Sequence, residues 1–166
     1  MSDFVLPVEI VSLATRVIEE NAAAGRRVTL AESCTGGLVA AALTEVAGSS
    51  AVMDRGFVTY SNAAKMELLG VASDIIETFG AVSIACAWAM AQGALARSDA
   101  DVAVAVSGVA GPGGGTALKP VGTVVFARAI RGEDGGQEGD LQNFGNLGRA
   151  GIRRQASVVA LELLLP

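Results

Sequence analysis

The chain has 166 residues, 51% of them apolar and 17% charged, with a formal net charge of −5 and no histidine. That length suits one domain with a real core, and the apolar content excludes a disordered chain. The acidic balance leaves no basic surplus to neutralise phosphates, and seven aromatic side chains are few for stacking bases, so no nucleic-acid partner is expected.

In chain order, the first element is a helix. Apolar residues at Val8, Val11, Leu13, Ala14, Val17 and Ile18 recur at helical spacing to about Ala24, with Pro7 near the start. RRVTLAE reads as a buried strand ending near Glu32, and GGLVAAALTEV as a helix with Gly48 as its stop signal. RGFVTYS is a second strand. Asn62 is the expected cap of a short helix, AAKMELLG, ending at Gly70. Asp74 to Phe79 adds a short turn of helix, and Ser83 to Arg97 is Ala-rich and helical, with Cys86 expected to be buried in it. DVAVAVSG reads as a central strand, VAGPGGGTALKP as a long loop with strong breakers, and VGTVVFARAI as a strand rich in β-branched residues. RGEDGGQEGD is a polar turn, leading to an edge strand near Leu141 to Phe144, and Gly151 to Leu165 is a final amphipathic helix. Strands alternating with helices give an α/β fold: a single three-layer domain with a mixed β-sheet flanked by helices.

The N-terminus MSDFVLPVEI lacks a basic region followed by a long apolar run, so no signal peptide is expected. No apolar run is long enough to span a bilayer, and the expected setting is the cytoplasm with no membrane partner. Cys34 and Cys86 make no metal-ligand pattern. Without histidine, no metal site is expected.

Polar residues cluster at the ends of apolar strands, where open α/β sheets bind their ligands. In ESCTGG, a strand meets a helix through Ser33, Thr35, Gly36 and Gly37. Backbone N–H groups at such a junction favour a phosphate or a developing oxyanion, and the glycines let a ligand approach closely. The equal alternative is that Ser33 or Thr35 caps the helix. A serine nucleophile needs a base, and with no histidine the choice falls to lysine, tyrosinate or carboxylate. Only two lysines stand against ten arginines, Lys65 in TYSNAAK and Lys119 in the glycine loop. Lysine can lose its proton when desolvated, whereas arginine keeps its own; the plain alternative is a lysine on a solvated helix face. Ser107 ends the central strand, and Gly108, Gly111, Gly113, Gly114 and Gly115 follow. Such a loop can wrap a phosphate or carboxylate, although it matches neither G-x-x-x-x-G-K-[ST] nor a dinucleotide fingerprint. Its length favours function over an idle surface loop. Cys34 is a second candidate nucleophile, at a place where a thiol pKa can fall. Arg149, Arg153 and Arg154 form a local basic group that reads most simply as a solvated helix face.

Together, ESCTGG, GSSAVMDRGFVTYSNAAKMELLGV, GAVS, SGVAGPGGG…KPVGTV and RRQA resemble the C-terminal domain of the competence/damage-inducible (CinA) family, in the family's order and over nearly all the chain from Thr29 onward. The resemblance implies a nicotinamide-nucleotide amidase acting on nicotinamide mononucleotide, without metal or cofactor, in a compact α/β fold that commonly forms a homodimer or larger homo-oligomer. Many members carry a molybdopterin-binding-like domain ahead of this one. No such segment stands in these residues, so a stand-alone amidase domain is expected. By position, Ser33 resembles the nucleophile, Lys65 the general base, Tyr60 a polar partner, and Ser107 a hydroxyl where members often have threonine. Position 34 varies among members, which ranks Cys34 below Ser33. Arg149 resembles an arginine that meets the nucleotide, although FGNLGR departs from the family's F-x-G-D-R and lacks its acidic residue.

The expected site therefore has Ser33, Lys65, Tyr60 and Ser107 as catalytic residues. Thr35, Gly36, Gly37 and Asn62 line the substrate, with Gly111, Gly113, Gly114, Lys119 and Arg149 toward its phosphate. A second reading keeps the pocket without turnover, as a nucleotide-binding or regulatory module linked to competence or DNA damage. Ser33, Tyr60 and Lys65 together favour the enzyme, because a binder needs no base beside a nucleophile.

Overall fold

Alternation along the strands divides the hydrophobic core in two. The computed structural model describes residues 3–134 and 138–166. It contains strands β1 (Val28–Glu32), β2 (Met53–Val58), β3 (Val102–Gly108), β4 (Thr123–Ile130) and β5 (Glu138–Asn143). Their order across the sheet is β2-β1-β3-β4-β5. The first three are parallel, whereas β4 and β5 run antiparallel, which gives the expected mixed sheet. Side chains at even positions, among them Leu30, Val104, Val106 and Phe126, meet helices α1 (Val8–Ala23), α2 (Leu38–Thr44) and α6 (Gly148–Leu164). Those at odd positions are mostly alanines, Ala31, Ala103, Ala105, Ala127 and Ala129, and meet α3 (Asn62–Leu69), α4 (Ser73–Phe79) and α5 (Ile84–Ala96).

The alanine face lets the Ala-rich α5 lie close to the sheet. The same economy of volume governs α5 against α3: a Cβ on Gly93 would stand 2.0 Å from the Leu69 carbonyl oxygen. Cys86 is buried in α5, as its place in the sequence suggests. No helix among the described residues is long and apolar enough to cross a membrane.

Several boundaries differ from the sequence reading. Asp74 to Phe79 belongs to a two-turn helix, α4, so three helices separate β2 from β3. Ser61, not Asn62, caps α3: its Oγ accepts from the Ala64 N–H at 3.0 Å, and Asn62 is the first helical residue. Neither Ser33 nor Thr35 caps α2, whose N-cap is Gly37 with φ of 99°. The final helix begins at Gly148 rather than Gly151, which moves Arg149 from a loop into a helical first turn. Residues 135–137 of the expected polar turn lie outside the described residues.

From β1 the chain crosses to β2 on one side and later returns to β3 on the other. This reversal of winding makes a switch point at the carboxyl ends of β1 and β3, the place where α/β sheets open a crevice for ligands. The turn after Glu32, the turn after Val58, the loop 109–122 and the start of α6 all gather at that end.

Candidate active site

The turn after β1 is built around a buried carboxylate. Glu32, only 1% exposed, accepts from the Thr35 hydroxyl at 2.6 Å, the Val39 N–H at 3.0 Å and the Ala40 N–H at 3.1 Å. The positive end of α2 is thus filled by the protein's own carboxylate and not left for a ligand anion. Gly36 and Gly37 adopt positive φ, 60° and 99°, which bends the chain tightly from strand into helix. Thr35, Gly36 and Gly37 accordingly shape the turn.

Ser33 stands at the start of this turn, 7% exposed, with its N–H donating to the Val106 carbonyl at 2.9 Å. From α3, on the alanine face of the sheet, Lys65 reaches toward it. The Lys65 Nζ lies 3.0 Å from Ser33 Oγ and donates to the Thr59 carbonyl at 2.8 Å. Lys65 is 1% exposed. Loss of hydration on burial lowers its pKa from 10.5, and the nearby Cys86 and Cys34 sulfurs oppose that shift. Among the described residues no carboxylate forms an ion pair with it. Desolvation of this kind favours the neutral amine over the ammonium.

A cleft of about 280 Å³ opens above Ser33, lined by Cys34, Tyr60, Gly108, Val109, Ala110, Gly111, Gly113, Gly114 and Arg149. Arg149 spans its mouth: one amino group donates to the Gly111 carbonyl at 2.7 Å and the other to the Tyr60 hydroxyl at 3.0 Å. The glycine loop, Tyr60 and α6 are thereby joined around one opening. At Gly111, φ is 81° and a Cβ would stand 2.5 Å from Val121 Cγ1, so both the conformation and the packing require glycine.

Cys34 also lines the cleft, but burial raises its thiol to a pKa of about 11. It is protonated near neutral pH and a poor nucleophile.

The other expected residues lie outside the cleft lining. Ser107 sits beside Ser33 in the next strand, one step beyond the Glu32–Val106 pair, and its hydroxyl donates to the Ala81 carbonyl at 3.0 Å. Lys119 donates to the Phe79 carbonyl at 2.6 Å, so its ammonium secures the C-terminal end of α4. Asn62 is exposed on α3. Conversely, sequence reasoning gave no role to Glu32 or the Thr59 carbonyl, and it read Arg153 with Arg149 and Arg154 as a solvated helix face, whereas the Arg153 guanidinium donates to the carbonyls of Cys34 and Thr35 at 3.1 and 3.2 Å. The four-residue spacing of Arg149 and Arg153, which puts both on one helix face, was the available signal. Among the described residues, no three His, Cys, Asp or Glu side chains gather to hold a metal ion.

A curated relative from Enterobacter agglomerans, a nicotinamide-nucleotide amidohydrolase PncC, is 56% identical over 143 residues, covering 86% of this chain and 85% of its own. A putative competence-damage inducible protein from Symbiobacterium thermophilum is 52% identical over 145 residues, but this chain spans only 34% of that longer protein. The crystal structure of the competence/damage inducible protein CihA from Agrobacterium tumefaciens superposes with a TM-score of 0.92 at 52% identity, covering 99% of this chain and 97% of that one. The model of the CinA C-terminal domain matches residues 10–166. With Ser33, Lys65, Tyr60 and the glycine loop held together at one sheet end, the chain belongs to the CinA C-terminal domain family.

Proposed function

We propose that this chain is a nicotinamide-nucleotide amidase that converts nicotinamide mononucleotide and water to nicotinate mononucleotide and ammonia. The observation that carries the reading is the buried Lys65 Nζ, 3.0 Å from Ser33 Oγ at the base of an open cleft. The amidohydrolase of Enterobacter agglomerans, 56% identical to this chain, supports the same substrate class.

Neutral Lys65 takes the Ser33 hydroxyl proton as Oγ bonds to the carboxamide carbon. The carbonyl oxygen becomes an oxyanion, received by backbone N–H groups of the turn after Ser33. Protonated Lys65 then gives its proton to the amide nitrogen, the C–N bond breaks, and ammonia leaves a nicotinoyl ester on Ser33. Water attacks that ester with Lys65 again as base, and Ser33 recovers its proton from Lys65 as nicotinate mononucleotide is released. This is a serine–lysine form of the triad logic, defined by roles and not by residue order. Lys65 is held on the Thr59 carbonyl throughout, much as the third member of a triad orients its base.

The cleft's cation is Arg149. Two of its five N–H donors serve Gly111 and Tyr60, leaving others for the nucleotide phosphate beside the glycine loop. The test is ammonia release from nicotinamide mononucleotide with a chelator present. Turnover by the wild type that disappears in Ser33→Ala and Lys65→Met supports the reading. A wild type that binds the nucleotide in calorimetry but releases no ammonia would instead mark a binding module.

A further inference from the structure

Arg153 has no part in the steps above, yet its guanidinium grips the carbonyls of the two residues that follow Ser33. It lies one turn beyond Arg149 on α6, so one helix face delivers both cations to the site. Its Nε donates to the Cys34 carbonyl at 3.1 Å, and Nη2 donates to the Thr35 carbonyl at 3.2 Å. The guanidinium passes close to the turn: a Cβ on Gly36 would stand 3.4 Å from Nη2, an ordinary contact distance.

The consequence follows from peptide geometry. A planar trans peptide carries its C=O and its N–H in opposite directions. Holding the Cys34 carbonyl on Arg153 fixes the Thr35 N–H of the same peptide pointing away from the guanidinium. Ser33 N–H donates to Val106, Gly36 to Ser33, Leu38 to Thr35, and Val39 and Ala40 to Glu32, which leaves those of Cys34, Thr35 and Gly37; of these three, Thr35 shares its peptide with a carbonyl that Arg153 holds. The Thr35 side chain is meanwhile tied to Glu32 at 2.6 Å, so the residue is held from two sides. A cation on the carbonyl also polarises the peptide and strengthens its N–H as a donor.

We propose that Arg153 is a positioning residue that aims the Thr35 N–H at the oxyanion formed when Ser33 attacks the amide. The inference rests on the amidase reading. Arg153 touches no substrate atom; it acts through the peptide. Its planar fork serves two carbonyls at once, which a lysine ammonium cannot reproduce and a methionine cannot begin to.

The experiment is steady-state ammonia release from nicotinamide mononucleotide by the wild type, Arg153→Lys and Arg153→Met, with a melting curve for each. Arg153→Met should lose roughly 10- to 100-fold in kcat, the cost of a misaimed and not a deleted donor. Arg153→Lys should fall between it and the wild type. KM should stay within about threefold, because ground-state binding is untouched. Guanidinium ion added at millimolar concentration should restore part of the Arg153→Met rate. An Arg153→Met kcat within about threefold of wild type would overturn the inference, as would a loss confined to KM. So would a kcat deficit that vanishes well below the variant's melting temperature, since that would mark a merely structural clamp. A silent wild type would sink the amidase reading and this inference with it. An active wild type beside an unaffected Arg153→Met sinks the inference alone.

Discussion

Replacing Lys65 with methionine separates what the lysine does for chemistry from what its burial costs the fold. The two side chains have similar length and volume, so no large cavity opens in the space that Lys65 fills. The variant removes a base 3.0 Å from Ser33 Oγ and the donor to the Thr59 carbonyl. An ordinary lysine at 10.5 would be neutral in roughly one molecule in 3,000 at pH 7, and each unit of lowering raises that share about tenfold. Burial therefore supplies the population of working base. A general base contributes up to about 10⁴-fold, and among the described residues Ser33 Oγ has no other base in contact, so kcat should fall by roughly 10⁴, about 5.4 kcal/mol of barrier. Stability should change by no more than about 2 kcal/mol, because the lost hydrogen bond to Thr59 is offset by relief of a desolvated amine.

The pH dependence has a definite sign. Chemistry needs neutral Lys65, so wild-type kcat/KM should rise with pH through an inflection below 10.5. Stability should also rise with pH. The folded-state pKa of Lys65 is lowered, so between that value and 10.5 the unfolded chain binds more protons than the native one. Below that window the full cost of deprotonating or burying the amine is present; above 10.5 it is gone. Lys65→Met should abolish this part of the slope in a set of denaturant melts across pH. Ammonia release in Lys65→Met within tenfold of wild type, or an unchanged stability slope, would refute the assignment.

Three further outcomes follow from the same geometry. Cys34→Ala should keep its activity, and at pH 7 the wild-type thiol should alkylate slowly with iodoacetamide, because a pKa of about 11 leaves roughly one thiolate in 10⁴. A dead Cys34→Ala would favour a thiol mechanism. Glu32→Gln should lower the melting temperature by about 4–8 °C, the equivalent of roughly 2 kcal/mol, since one amide oxygen cannot serve the donors that two carboxylate oxygens serve now; differential scanning calorimetry reads it. Arg149→Met should raise KM for nicotinamide mononucleotide by about tenfold or more, whereas Lys119→Met should leave it within about threefold, because Lys119 serves the Phe79 carbonyl. Equal KM effects from the two would restore Lys119 as a phosphate ligand.

Much of the architecture was legible along the chain. Apolar and β-branched runs located β1 to β4 and helical spacing most helices, because burial on a sheet or a helix face imposes a period on the sequence itself, whereas β5, without a β-branched residue, was placed only as an edge strand after a polar turn. The ends were less legible. The final helix was read from Gly151, yet α6 begins at Gly148. Asn62 and Ser61 are both good caps, and only the backbone at Ser61, extended at φ −92° and ψ 160°, decided between them.

The absence of histidine narrowed the base to lysine, tyrosinate or carboxylate, and the strand–ESCTGG–helix pattern marked the turn; the family resemblance is what pointed to Lys65 and Ser33 within them. The first two are properties of composition and local order. The tertiary structure alone decided that Lys65 meets Ser33 across 32 positions, that Glu32 fills the α2 N-terminus, and that Lys119 turns to α4 while Arg149 and Arg153 turn to the site. A charge or a hydroxyl on a surface loop carries no period, so its direction is set by which elements the sheet order brings alongside it, and that order exists only once the chain has folded.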